Sequence, residues 1–107
     1  MIAGATLELS RCRGCQARFL PTDGPCPKCG SPDCVRYSTS AVGRVLAATE
    51  LHYPASGWHA PHRLALVEVA DAVRVLTVVD GTLPSHGALV EVRPDGAVYR
   101  ARPEPTR

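Results

Sequence analysis

The chain has 107 residues, enough for one ordinary domain or for two small modules packed together. Hydrophobic residues make up 45% of it, as in globular proteins, and its apolar runs are too short to cross a bilayer, so we expect a soluble protein without a membrane span. Twelve basic and ten acidic residues give a net charge of +2 without a basic cluster, which argues against nucleic-acid binding.

The first predicted element is a strand near the N-terminus. Leu7-Glu8-Leu9 alternates apolar and charged residues, which is the pattern of a half-buried strand. The residues before it lack the charged and apolar pattern of a signal peptide. We therefore expect a cytoplasmic protein whose thiols stay reduced.

Four cysteines follow as two Cys-x-x-Cys pairs separated by ten residues: Cys12, Cys15, Cys26 and Cys29. Two such pairs on opposed turns, or knuckles, aim four sulfurs at one point, which is the tetrahedral arrangement that Zn²⁺ prefers. A residue that tolerates positive φ makes such a turn easily, and we expect Gly14 and Gly30 to serve there. The sequence therefore predicts a rubredoxin-like zinc ribbon over residues 1–40.

Three other interpretations of these cysteines stay open. Iron shares the tetrathiolate geometry, small secreted domains form disulfides instead, and redox pairs usually open a helix, whereas Pro27 and Gly30 indicate turns. We favour zinc, and because four thiolates leave no open position for water or substrate, we predict a structural site. The fifth cysteine, Cys34, is interpreted as a small packing residue at the edge of the ribbon.

Beyond the ribbon the sequence predicts an all-β module. A short exit strand is predicted at Cys34 to Tyr37, and from Gly43 onward β-branched and aliphatic runs alternate with turn residues. Five antiparallel strands are predicted: Arg44 to Tyr53, Leu64 to Val69, Val73 to Val79, Ala88 to Val92 and Ala97 to Ala101. This count fits a small OB barrel over residues 41–102, followed by a disordered tail at 103–107. The second and third strands are almost continuously apolar, so we expect the ribbon or a partner to cover their outer face.

The order of ribbon and barrel resembles an acyl-CoA-associated family, domain of unknown function 35, over roughly residues 7 to 100. The matching segments are Cys12, Cys15, Phe19 and Pro21, then Cys26-Pro27-Lys28-Cys29-Gly30, Gly43-Arg44-Val45, Pro61, Leu66-Val67-Glu68-Val69, Val73-Arg74-Val75-Leu76, and Gly87 to Val92. Two positions depart from the family pattern, since His62 replaces an aromatic residue and Ala72 replaces a glycine.

The resemblance implies a mainly β protein that acts as a non-catalytic partner, or scaffold, of a thiolase-superfamily enzyme, an acyl-CoA hydratase or an aldolase. It further implies that such a subunit helps to hold the acyl-CoA. Five residues are candidate contacts for the partner enzyme or for acyl-CoA: Trp58, His59 and His62 around a loop, and Arg44 and Arg74 on strands.

Two other functions compete with this hypothesis. Zinc ribbons and OB barrels both bind nucleic acids, but the five aromatic residues and the dispersed charges offer few stacking platforms and no basic groove. An enzyme could use His52, His59 and His62 with Glu50 as an acid and base set, although loop histidines more often lie at the surface without such a role. We therefore expect an accessory protein, not an enzyme, with nucleic-acid binding as the alternative.

Overall fold

The computed structural model describes residues 5–51 and 62–103, which fold as strands joined by short turns. The strands are β1 (Thr6–Cys12), β2 (Arg18–Phe19), β3 (Cys34–Ser40), β4 (Val42–Leu51), β5 (His62–Glu68), β6 (Arg74–Val79), β7 (Leu89–Asp95) and β8 (Val98–Pro103). The mainly β fold predicted from the sequence is confirmed. Among the described residues, no helix is long and apolar enough to cross a membrane.

The first three strands form an antiparallel sheet in the order β2-β1-β3. β1 is the central strand, and its alternating pattern buries Leu7 and Leu9 on one face. β3 continues to Ser40, three residues beyond the predicted exit strand, and pairs with β1 along its whole length. β4 begins two residues later, and the division into a ribbon of residues 1–40 and a barrel of residues 41–102 stays a prediction.

The other five strands form a closed barrel in the order β4-β5-β6-β8-β7. The predicted five-stranded barrel is confirmed, but the prediction that its strands are all antiparallel was wrong, because β6 and β8 run parallel. A closed ring with an odd number of strands cannot alternate direction all the way round, so at least one neighbouring pair must be parallel. The chain places that pair where the β7–β8 hairpin returns beside β6.

The two sheets share one hydrophobic core. Valines from four barrel strands fill the interior, each at most 1% exposed: Val45, Val67, Val75 and Val92. Leu7 and Leu9 of β1 belong to the same cluster of buried side chains. Thr77 is a buried polar residue of the barrel, and its hydroxyl donates to the carbonyl oxygen of Ala65 at 2.9 Å. The ribbon sheet therefore covers part of the barrel and depends on it for its own burial.

The turn between β5 and β6 also holds the ribbon against the barrel. The Tyr37 hydroxyl of β3 donates to an Asp71 carboxylate oxygen at 2.8 Å, and Arg18 of β2 forms an ion pair with the same carboxylate at 2.9 Å. Burial, followed by the Asp71 carboxylate, raises the pKa of Tyr37. Asp71 and Ala72 have φ values of 60° and 61°, in the left-handed region.

The C-terminal strand extends further than the sequence indicated. Pro103 was assigned to the tail, but it is the last residue of β8 and pairs with Val90. A proline is acceptable there because the first and last residues of a strand can lose a backbone donor without breaking the ladder. Residues 104–107 lie outside the described part of the chain.

Ala72→Gly is expected to stabilise the protein by about 0.5–1 kcal/mol, because a left-handed conformation strains any residue that has a Cβ atom. The position is exposed, so little packing is lost. The matched control is Ala70→Gly, which lies in the same turn without a positive φ and should destabilise the protein. Urea unfolding monitored by circular dichroism measures both, and equal effects at the two positions would contradict the assigned conformation.

Gly43→Ala is expected to destabilise the protein by about 2 kcal/mol through overpacking. An added Cβ would lie 2.6 Å from Cγ1 of Val67 and 2.7 Å from the carbonyl oxygen of Glu68, a backbone atom that cannot move aside. Gly24→Ala is the control, since its added Cβ meets no atom within 4 Å. Equal unfolding midpoints for the two variants would show that β4 and β5 are further apart at Gly43 than described.

Candidate metal centre

The four predicted ligand cysteines converge at one end of the ribbon sheet. Their Sγ atoms all lie within 4.8 Å of one another, with Cys12 and Cys29 at 3.5 Å and Cys15 and Cys26 at 3.7 Å. Four sulfurs around a zinc ion at about 2.3 Å would stand about 3.8 Å apart in a regular tetrahedron. The four thiols therefore fit a single metal ion, as the spacing of the cysteines predicted.

Backbone N–H groups surround the two sulfurs that begin each knuckle. The N–H of Cys15 donates to Sγ of Cys12 at 3.4 Å. The N–H groups of Lys28 and Cys29 donate to Sγ of Cys26 at 3.3 and 3.4 Å. These bonds arise because each Cys-x-x-Cys segment turns back on its first cysteine, which directs successive amides at the sulfur.

These donors favour the thiolate form that binds metals. The N–H of Cys15 is the main cause that lowers the pKa of Cys12 to about 6, and the N–H of Cys29 is the main cause that lowers the pKa of Cys26. Both thiols are buried, which opposes the shift but does not outweigh the hydrogen bonds. Two of the four ligands are thus prepared for a cation by the backbone itself.

The two knuckles have the same backbone form, and one of them uses a residue that the sequence did not indicate. Gly30, directly after Cys29, has a φ of 81°, as predicted. In the first knuckle the corresponding residue is Gln16, directly after Cys15, with a φ of 65°. Gly14 does not have a positive φ, so its assignment to that role was wrong. The N–H groups of Gln16 and Gly30 close their turns onto Cys12 and Cys26 carbonyls at 2.9 and 2.8 Å.

The basic side chains near the cluster have partners elsewhere. Arg11 donates to the Gln16 side chain at 3.1 Å, Arg13 lies 3.8 Å from Asp33, and Arg18 forms its ion pair with Asp71. The groups that contact sulfur are backbone amides. The negative charge of the thiolates is thus offset at short range by N–H dipoles, with the guanidinium groups further out.

Cys34 lies beside the cluster without belonging to it. It is the first residue of β3, is half-buried, and its Sγ lies 3.7 Å from the carbonyl oxygen of Ser31. In the β1–β3 ladder it is directly opposite Cys12. This placement agrees with its interpretation as an edge residue of the ribbon.

The remaining candidate contact residues are divided between two ends of the β4–β5 hairpin. Arg44 and Arg74 lie on either side of Glu68, in one row across three strands. His62 begins β5 at the opposite end, roughly 20 Å from Glu68 along an extended strand. Trp58 and His59 lie outside the described residues. The structure therefore brings the two arginines together and separates them from His62, and the roles of all five residues stay predictions.

The acid and base set considered from the sequence consists of Glu50, His52, His59 and His62. Of these, His52 and His59 lie outside the described part of the chain. Glu50 lies 3.0 Å from the guanidinium of Arg63, its neighbour across the β4–β5 ladder.

Sequence analysis missed an exposed apolar surface on the barrel. The outer apolar face consists of Ala47, Leu64, Leu66 and Leu76, which line a shallow depression of about 160 Å³. Ala47, Leu66 and Leu76 are direct neighbours across β4, β5 and β6, and Leu76 is 64% exposed. The ribbon does not cover this leucine, so of the two covers expected for this face, the ribbon or a partner, coverage by a partner is the one that stays a prediction. The signal was the apolar outward position of each strand, which the sequence alone could not distinguish from a covered one.

The chain is similar to a known protein of an acyl-CoA enzyme over most of its length. No family model matches the chain. A probable enoyl-CoA hydratase alpha subunit from Thermomonospora curvata is 30% identical over 79 residues, which is 73% of this chain, and the chain spans about a quarter of that relative's length.

Two solved structures share the whole arrangement of ribbon and barrel. One, described as "Ltp2-ChsH2(DUF35) aldolase", is 27% identical with a TM-score of 0.67, covering 91% of this chain and 84% of the other. The second is a DUF35 protein of unknown function from Sulfolobus solfataricus, 18% identical with a TM-score of 0.61, covering 92% of this chain and 76% of the other. The two structures share the fold of this chain, and the similarity to the 27% identical DUF35 chain fits the resemblance to the domain of unknown function 35 family found in the sequence.

Proposed function

We propose that this chain is an accessory subunit of an acyl-CoA-processing enzyme and has no catalytic site of its own. The observation that carries the proposal is the similarity to a DUF35 chain named together with Ltp2 as an aldolase, which extends over 91% of this chain. The relative from Thermomonospora curvata is named as a subunit of a hydratase, which supports the same class of partner. A thiolase-like, hydratase-like or aldolase-like enzyme is the proposed partner.

The metal cluster supports a structural role. We propose Zn²⁺ as the metal, with iron as the alternative, because four thiolates at these separations suit either ion. Four cysteines saturate a tetrahedral ion and leave no position for a substrate. Zinc binding contributes on the order of 10 kcal/mol to folding in small zinc peptides, and a ribbon with only three short strands needs such a contribution. Reduced thiols are retained in the cytoplasm, which is the proposed location.

The outer apolar face is the proposed docking surface for the partner enzyme. Single exposed leucines are normal on protein surfaces, but here three apolar residues are adjacent across three strands and surround a depression. The residues that line the depression carry no charge, and Thr49 is the polar one among them, so this part of the sheet gains from being covered. A protruding apolar side chain of the partner would fill the depression.

The charged residues beside the outer apolar face indicate what kind of residues would surround the partner's apolar side chain. Arg44, Glu68 and Arg74 form the next row on the same side of the sheet. Within the described residues, neither arginine makes an ion pair. We propose that they meet carboxylates at the rim of the partner's apolar patch, where ion pairs fix orientation. Trp58, His59 and His62 are kept as proposed contacts for the partner or for acyl-CoA.

Nucleic-acid binding stays an alternative that no observation in the structure favours. The outer apolar face carries leucine and alanine where a single-strand binder would carry aromatic platforms.

Leu76→Asp is expected to weaken the complex with the partner at least about tenfold, since a carboxylate would be buried against an apolar surface. The measurement is co-expression with acyl-CoA enzymes of the proposed classes, followed by size-exclusion chromatography with light scattering. Leu83→Asp is the matched control, because Leu83 is also exposed, at 40%, but lies in the loop after β6.

The two proposals fail in different ways in this experiment. If the wild-type chain forms no complex with any such enzyme, the accessory function is wrong. If the wild type forms the complex and Leu76→Asp retains it with unchanged affinity, the function stands and the docking surface is elsewhere.

Cys26→Ser is expected to abolish stoichiometric metal binding and to unfold the ribbon, because a serine hydroxyl does not replace a thiolate as a metal ligand. Cys26 is also buried, and its sulfur accepts two backbone N–H bonds. Removal of the metal with a chelator should have the same effect. Elemental analysis identifies the metal, and circular dichroism follows the fold. Cys34→Ser is the control and should keep a full equivalent of metal. A chain that folds equally well without metal would refute the structural role.

A further inference from the structure

The thiol of Cys34 is left over by the metal cluster but lies next to one of its ligands. Cys34 is the first residue of β3, and Cys12 is the last residue of β1. The antiparallel register places the two directly opposite each other. Their neighbours in the ladder continue this register, because the N–H of Arg13 donates to the carbonyl oxygen of Asp33 at 2.9 Å.

The hydrogen bonds around Cys12 show which kind of cross-strand pair this is. The N–H of Cys12 donates to the carbonyl oxygen of Ala17, and its own carbonyl oxygen accepts from the N–H of Gln16, both at 2.9 Å. Both backbone groups of Cys12 thus point away from β3. Cys12 and Cys34 are therefore a non-hydrogen-bonded pair, in which the Cα atoms are about 4.5 Å apart and the side chains are closest.

This geometry is that of a cross-strand disulfide. Disulfides join residues whose Cα atoms are about 4.4–6.8 Å apart, so the bond between Cys12 and Cys34 requires no movement of the strands. Side-chain rotation suffices, since in the thiol form Cys34 Sγ rests against the carbonyl oxygen of Ser31 at 3.7 Å.

We propose that Cys34 is an oxidation site, and that a peroxide converts Cys12 and Cys34 into a reversible disulfide that withdraws Cys12 from the metal. This property is separate from the proposed accessory function and depends only on the cysteines of the ribbon. Its consequence is a ribbon whose metal site is opened by oxidants and restored by thiols.

The chemistry balances with hydrogen peroxide as the oxidant. Within this pair Cys34 is half-buried and Cys12 is buried, so the peroxide reaches Cys34 before Cys12, while the exposed Cys29 is one of the four metal-site thiols. The Cys34 sulfur attacks one peroxide oxygen and gives up its proton, the O–O bond breaks, and a sulfenic acid and water form. The Cys12 thiolate sulfur then attacks the Cys34 sulfur, the S–O bond breaks and hydroxide leaves. The products are the disulfide, one water and one hydroxide, and the two sulfurs have lost two electrons together to the peroxide.

Competing disulfides lie within the cluster itself. Cys12 and Cys29, and Cys15 and Cys26, have neighbouring sulfurs, but each of these pairs joins two separate knuckles that a metal ion holds together. Cys12 and Cys34 are held together by the β1–β3 strand ladder. The ladder pair is therefore already aligned when the oxidant arrives, before the metal leaves.

Peptide mapping can decide between these disulfides. Digestion of the full chain with trypsin and Asp-N separates all five cysteines, because Asp33 divides the fragment that would otherwise hold both Cys29 and Cys34. After treatment of the metal-loaded protein with hydrogen peroxide, we expect loss of two thiols per chain and a peptide of residues 12–13 linked to one of residues 33–36. Dithiothreitol should restore both thiols.

Metal release supplies the second readout, with a chromogenic chelator as the probe. The wild type should release its metal in step with formation of the linked peptide, whereas Cys34→Ser should keep its metal under the same treatment. Cys34→Val, which suits a strand, repeats the measurement in case serine weakens the ribbon. Linked peptides confined to the four ligand cysteines, or metal release from both variants at the wild-type rate, would overturn the proposal.

Discussion

The convergence of four thiols at one end of a three-stranded sheet is the constraint on which the ribbon depends. Between Cys12 and Cys34 the chain has only the two-residue strand β2, and the rest of this stretch consists of turns. Two knuckles built on the same backbone form hold it, because amides folded back onto Cys12 and Cys26 favour the thiolates that a metal requires. A metal ion bound by the four sulfurs would join the two turns directly.

The ribbon and the barrel stabilise each other through a shared core. β1 provides Leu7 and Leu9 to the cluster of valines inside the barrel, while Tyr37 and Arg18 hold the Asp71 turn from outside. This arrangement accounts for a strained backbone at Asp71 and Ala72, since the contacts made by the Asp71 side chain offset the cost of a left-handed conformation. It leaves Leu76 and its neighbours uncovered on the outside of the barrel. An exposed apolar face of this kind suits the proposed role as an adaptor within a larger assembly.

Much of this protein was open to prediction because its determinants are close together in the sequence. The spacing of Cys12, Cys15, Cys26 and Cys29 predicted a single metal site, and alternating β-branched runs predicted five barrel strands, because both patterns express local geometry. The residue after each pair was harder to interpret. Gly30 was recognised as the left-handed residue of its knuckle, whereas Gln16 was not, since a glutamine gives no sign that a turn will hold it at positive φ.

What the sequence by itself determined was the arrangement of the thiol cluster and the number of strands in the barrel. Only the tertiary structure decided that β6 and β8 run parallel, that Cys34 stands opposite Cys12, and that Leu76 is exposed. Each of these depends on pairing between segments far apart in the chain. Local spacing fixes which residues share a turn or a face of one strand, but closure of the barrel and the register between distant strands fix which faces are covered.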